Sequence, residues 1–283
     1  MGDSSGGRLV LLGTPIGNLG DLTLRAIETL KACDRVAAED TRRTRTLLTH
    51  LGIAKKSLTR LDAHASPRAV DDLLDHVAAG ELVVFVTDAG MPGSSDPGSH
   101  LVRRAAEREL ALTVVPGPSA VTSAVALAGF GDAGHAFHGF LPRQGEKRHA
   151  ALRRVVESAL PVVLFEAANR TARTLQELAE LAPERGAVVC RELTKLHEET
   201  VRGSLRELAA HEPDWRGEIA IVVAAQSDAD ATPGPSDEEI DRRIRAELAR
   251  GQSAKDVASE VAAWSKLPRR EVYGRVTRLR GGG

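Results

Sequence analysis

Cysteine and aromatic side chains are scarce in this chain of 283 residues, and both shortages narrow what it can be. Its two cysteines, Cys33 and Cys190, stand far apart in apolar surroundings. That excludes a disulfide scaffold and a cysteine zinc site, and it fits a reducing cytoplasm. His135-x-x-His138 has no third ligand nearby, so ordinary packing is expected there and no metal. Aromatics make up 3% of the residues, which weighs against gripping single-stranded bases mainly by stacking. Neither sign of charge dominates: the net charge is −1 with 27% charged residues, a balance that demands neither nucleic acid nor membrane. No apolar run approaches the roughly 20 residues needed to span a bilayer. The opening Met1–Gly7 lacks the basic and apolar regions of a secretory signal, and Gly6 breaks the myristoylation pattern, so a flexible tail is expected.

What the chain does have is glycine and proline in the right places. Three turns rich in both follow short apolar runs directly: Leu9–Leu12 into Gly13–Asp21, Leu82–Val86 into Thr87–Gly93, and Leu112–Val115 into Pro116–Ala120. Such runs read as buried parallel strands, and open α/β sheets bind ligands beyond the carboxyl ends of their strands. Glycines such as Gly90 and Gly117 would let backbone amides approach a ligand that a Cβ would hold off. Three such turns meeting at one sheet edge point to a small, polar, nucleotide-like molecule. The first turn lacks the Gly-Lys-Ser/Thr ending of a P-loop and the strict dinucleotide fingerprint; a plain tight turn is the alternative reading of its glycines. Asp88 at a strand end can accept from an amine or a ribose hydroxyl. Ser119 stands where a helix starts, either as a simple N-cap or beside a bound carboxylate or phosphate.

Strand-like and helix-like segments alternate throughout, the mark of an α/β chain. Residues 1–117 are expected to form an N-terminal α/β domain and residues 118–226 a second one. A breaker-rich linker, Gln226–Pro235, leads to a small helical domain over residues 236–283, opened by the capping boxes Ser236-x-x-Glu239 and Ser253-x-x-Asp256. Its arginines, with Trp264 and Tyr273 as anchors, would form a docking surface for a partner or would stabilise a dimer.

Five segments then occur in order: Gly13-Thr14-Pro15-Ile16-Gly17-Asn18-Leu19-Gly20-Asp21, Ala38-Glu39-Asp40-Thr41-Arg42, Thr87-Asp88-Ala89-Gly90-Met91-Pro92, Pro116-Gly117-Pro118, and Arg191-Glu192-Leu193-Thr194-Lys195. Together they resemble the bacterial ribosomal RNA small-subunit methyltransferase I family, within the tetrapyrrole-methylase (class III methyltransferase) superfold. The resemblance runs from about Leu9 to Ala224. It implies two α/β domains with S-adenosyl-L-methionine in the cleft between them, and 2′-O-methylation of a cytidine ribose in the decoding region of 16S rRNA, in the 30S subunit, by a cytoplasmic homodimer. The donor is then expected against Pro15, Asp88, Ala89, Gly90, Gly117, Pro118, Ser119, Ala120, Phe165 and Ala220. The chain departs from the family pattern at Thr87 (usually Ser), Met91 (usually Thr), Ala65-Ser66 (usually Asn-Glu) and Phe165-Glu166-Ala167 (usually Tyr-Glu-Ser). The departure at Ala65-Ser66 argues against a catalytic role for that segment.

Methyl transfer to a ribose hydroxyl needs positioning and a group that takes the proton. Glu39, Asp40, His64, Glu166, Arg170, Glu192 and Lys195 are candidates, with Lys195, Glu39 and Glu192 foremost. Burial would lower the pKa of Lys195 toward a useful range; the alternative is that Arg191, Glu192 and Lys195 form a structural ion-pair network. Arg42, Arg43, Arg148 and Arg153 are the candidate RNA contacts, from two basic runs that are otherwise solvated helix faces. Two other functions fit the same pattern: methylation of a tetrapyrrole or other small acceptor, and non-enzymatic RNA binding in ribosome assembly.

Overall fold

The computed structural model describes residues 6–53, 55–93, 98–130, 134–211, 215–226, 237–265 and 267–281. They fall into two compact units, residues 1–226 and 227–283. The linker residues 227–235 and the capping residue Ser236 lie outside the described residues.

The first unit holds two five-stranded sheets. Strands β1 (Arg8–Leu12), β2 (Arg35–Ala38), β3 (Ser57–Arg60), β4 (Leu82–Val86) and β5 (Ala111–Val115) form a parallel sheet in the order β3-β2-β4-β1-β5. Alternation along its central strands feeds two cores. Val10, Leu12, Val84 and Val86 pack with helices α1 (Leu24–Ala32) and α2 (Thr41–His50). Leu9, Val83 and Phe85 pack on the other face with α3 (Pro67–Ala78) and α4 (Gly98–Glu107). Strand β5 departs from the expectation of burial: only Val115 is buried, while Leu112 and Val114 are exposed. It is the outer strand of the sheet, paired with β1 alone among the strands. Helix α4 ends at Glu107, two residues before Glu109, which has left-handed backbone (φ 53°).

The second sheet is mixed. Strands β6 (Ala136–Phe140), β7 (Val162–Ala167), β8 (Gly186–Arg191), β9 (Glu199–Ser204) and β10 (Glu218–Val223) run in the order β6-β7-β10-β8-β9, and only β6 and β7 are parallel. One face packs on α6 (Glu146–Val156), α7 (Ala168–Leu181) and α8 (Leu205–Ala210). The other packs on α5 (Ala120–Ala128) together with Ile16 from the first turn and Leu193. The second unit is three helices, α9 (Asp237–Ala249), α10 (Ala254–Ser265) and α11 (Arg269–Gly281), around Ile240, Ile244, Val257, Val261, Val272 and Val276. Ser253 caps α10 through the amide of Asp256, as the sequence pattern implied.

Candidate active site

The three glycine- and proline-rich turns meet at the carboxyl ends of β1, β4 and β5. Thr14 and Gly90 exchange backbone hydrogen bonds of 3.0 and 3.1 Å, and the Gly13 amide donates to Val115. A Cβ on Gly13 would stand 2.8 Å from Gly117 Cα, and one on Gly117 would stand 2.9 Å from the Gly13 carbonyl oxygen. The contact between the two turns is by itself enough to require glycine at position 117. Gly90 is different: it lines the cavity with φ at +80°, a conformation that side chains rarely adopt.

Around these turns lies a cavity of about 590 Å³ whose walls come from both sheets. Of the residues expected to hold a donor, Asp88, Ala89, Gly90, Ser119, Ala120, Phe165 and Ala220 line it, joined by Glu39 and Arg43. Pro15 borders a smaller neighbouring chamber of about 250 Å³, and Gly117 and Pro118 border neither. Phe140, Met91 and the Gly217–Ile219 stretch also line the large cavity and were not anticipated. Phe140 ends β6, so the rule that directed attention to the other strand ends applies to it equally. Phe140 and Phe137 both pack against Phe165, with ring centroids 5.8 and 4.9 Å away, giving the cavity an aromatic wall. Ser119 occupies the N-cap of α5 but its side chain makes no capping bond, so the plain-cap reading does not describe it.

Charge is arranged in layers. Asp88 accepts from the Asp40 amide at 3.0 Å, and its other oxygen lies 3.5 Å from Arg43. Asp40 caps α2, and its hydrogen bonds with Arg42 hold its carboxyl well below the usual range. Glu39 lies against the Asp88 amide at 3.5 Å. Glu166 is buried at the cavity edge, where it accepts from Thr174 at 2.7 Å and pairs with Arg170 at 3.2 Å. His64 is exposed on the segment after β3 and does not line either chamber.

Two expectations are corrected. Lys195 borders neither chamber and does not have a lowered pKa: burial pulls it down, but hydrogen bonds to Glu192 and Glu218, at 2.8 and 3.1 Å, outweigh burial and raise it. Glu192 is correspondingly held low, first by Lys195 and then by the Glu218 amide. Both belong to an ion-paired loop with left-handed backbone at Glu192 and Thr194 (φ 52° and 68°). Gly17 packs against this loop; a Cβ there would stand 2.5 Å from Lys195 Cγ. The second correction concerns Arg148, expected to meet RNA: its side chain is 1% exposed and bound to Glu177, Thr174 and the Pro142 carbonyl. Arg42, Arg43 and Arg153 are exposed.

Residues 8–209 match the family model described as Tetrapyrrole (Corrin/Porphyrin) Methylases. A protein of Synechocystis sp. named ribosomal RNA small subunit methyltransferase I is 37% identical over 270 residues, covering 94% of this chain and 96% of its own length. One of the same name from Thermotoga maritima is 40% identical over 222 residues, covering 78% of this chain and 99% of its own. The chain belongs to the ribosomal RNA small subunit methyltransferase I family. Its fold is that of the tetrapyrrole methylases. The solved uroporphyrin-III C-methyltransferase of Thermus thermophilus, complexed with S-adenosylhomocysteine, superposes with a TM-score of 0.54 at 21% identity, over 77% of this chain and 97% of that one. Among the described residues no cluster of side chains is set to hold a metal, and no helix is long and apolar enough to cross a membrane.

Proposed function

We propose that the chain methylates the 2′-hydroxyl of a cytidine ribose in the decoding region of 16S rRNA, within the 30S subunit, using S-adenosyl-L-methionine. The observation that carries this reading is the large cavity at the strand ends, in a chain whose relatives are named ribosomal RNA small subunit methyltransferase I. Its volume suits a cofactor-sized ligand. Its chemistry also fits the donor: an aromatic wall at Phe140 and Phe165 for the adenine, the Asp88 carboxylate for a ribose hydroxyl or the amine, and the start of α5 at Ser119 and Ala120 for the carboxylate. When bound, the donor supplies an electrophilic methyl group on a positively charged sulfur.

The chain's own residues position the acceptor and manage its proton. Glu39 is the carboxylate on the cavity wall that we assign to take the proton as the ribose oxygen attacks. Arg43, at the rim of both chambers, faces incoming phosphate or base. We assign the enzyme to the cytoplasm as a homodimer; the outer strand β5, with Leu112 and Val114 exposed, supports self-association. Methyl transfer from labelled donor to 30S subunits, against a free porphyrinoid as competing acceptor, tests the reading. Label in the 16S rRNA at a ribose is expected, from a preparation sedimenting as a dimer. Label in the porphyrinoid alone would assign the fold to a small acceptor, and no donor affinity at all would make the chain a binding protein.

RNA contact should be separable from donor binding. Arg42, with its side chain 86% exposed, and Arg153 stand outside the cavity. Reversing both charges is expected to weaken association with 30S subunits and to flatten its salt slope by about 1 per lost phosphate contact. Donor affinity should not change. An unaltered slope would make these arginines ordinary surface charge.

A further inference from the structure

The smaller chamber has its own lining. It lies between the first turn and α2, and it shares Arg43, Thr87 and Asp88 with the large cavity. At about 250 Å³ it is too small for a donor but large enough for a single base.

Four threonines contribute to its lining, and each has already committed its hydroxyl proton to the backbone. Thr14 donates to the Thr87 carbonyl, Thr87 to Gly90, Thr44 to Asp40 and Thr46 to Arg42, at 3.1 to 3.4 Å. What these hydroxyls retain is lone pairs. Asp88 adds a carboxylate, and the one cationic donor among the lining residues is Arg43. Pro15, Leu19 and Leu47 supply apolar surface, with Leu19 exposed. Among its side chains the chamber thus offers several acceptors against one cationic donor, beside the cavity assigned to the methyl donor.

Resting on the function proposed above, we propose that this chamber seats the unstacked acceptor base and reads cytosine by its edge. The exocyclic amine of cytosine would meet the threonine oxygens, and its neighbouring acceptors would meet Arg43. Uracil places a carbonyl oxygen where cytosine carries the amine, so it would turn lone pairs toward lone pairs. Thr44 and Thr46 are then specificity-determining residues, and the shared wall at Asp88 sets the ribose toward the donor.

The test uses the full chain with 30S subunits reconstituted from 16S rRNA carrying either cytidine or uridine at the position the wild-type protein methylates. The double variant Thr44→Val/Thr46→Val keeps side-chain shape and removes both oxygens. It should fold, because the Asp40 carbonyl keeps its bond from the Thr44 amide. Wild type is expected to prefer cytidine by about tenfold or more, the discrimination of one good base-edge pairing. The variant should lose most of that preference, with donor affinity by calorimetry unchanged. A second variant, Leu19→Trp, changes an exposed residue and should raise KM for 30S subunits without altering donor affinity. Undiminished cytidine preference in the double variant, or unchanged KM in Leu19→Trp, overturns the assignment. Failure of wild type to methylate either substrate while binding donor overturns the function on which the assignment rests.

Discussion

Arg148→Ala is expected to lower folding stability by about 3–5 kcal/mol, the range for removing one partner of a buried ion pair. The side chain lies within the second α/β half, with Nε 2.7 Å from Glu177, one terminal nitrogen 2.8 Å from the Thr174 hydroxyl, and the other 3.1 Å from the Pro142 carbonyl and 3.9 Å from Glu166. Truncation leaves Glu166 and Glu177 without that cation. Burial raises the Glu177 carboxyl, but hydrogen bonds from Arg148 and Arg173 outweigh it and hold the group low. Urea denaturation followed by circular dichroism measures the loss. Arg153→Ala, on the same helix but exposed, should stay within about 0.5 kcal/mol, as exposed surface changes usually do. The double change Arg148→Met/Glu166→Gln should recover part of the loss, because apolar or neutral replacements relieve the unpaired charge. A loss below about 1 kcal/mol in Arg148→Ala would mean that water reaches the cluster, since an exposed pair is worth no more than that.

The same residue shows where sequence reasoning reaches its limit and how it could have gone further. Arg148 sits in a basic run with Arg143, Lys147, Arg153 and Arg154, and composition alone makes the run a charged surface. Helical spacing says otherwise: Arg148 is three and four residues before Ala151 and Leu152 and seven before Val155, all buried on the same face. The strand ends were legible because glycine and proline punctuate apolar runs there. Strand β3, Ser57-Leu58-Thr59-Arg60, was not, since four residues with one apolar side chain carry little pattern. Helix α2 has weak bounds in the sequence for a related reason. Its sequence is rich in arginine and threonine, and only Thr44, Leu47 and Leu48 are buried. The Asp40 cap, whose oxygen accepts from the Arg42 amide at 2.8 Å, was the available signal. Strand β9 carries as little pattern, with Val201 its one large apolar side chain. The cavity-lining role of Gly217–Ile219 depends on β10 lying between β7 and β8, a pairing that no local pattern encodes.

Glu39→Gln is expected to reduce kcat by about 10²–10⁴, the usual contribution of a positioned general base. Of the three foremost catalytic candidates, only Glu39 lines the large cavity. It stands at the end of β2, just before the cap of α2, where two neighbouring elements fix the backbone. The amide side chain keeps the shape and can still meet the Asp88 region, so donor affinity by calorimetry should change little. The comparison that gives the result meaning is Lys195→Met. Lys195 is bound to Glu192 and Glu218 and holds its proton more tightly than an ordinary lysine, so it is poorly suited to accept one. Its loss should loosen the Glu192–Lys195 loop and lower stability while leaving kcat on 30S subunits within a few-fold of wild type, because proton transfer is untouched. Single-turnover methylation at saturating donor and 30S subunits separates the two variants from any change in binding. A folded Lys195→Met protein that binds donor normally but has lost turnover, beside a Glu39→Gln protein that has not, would move proton transfer from the first α/β half to the ion-paired loop of the second.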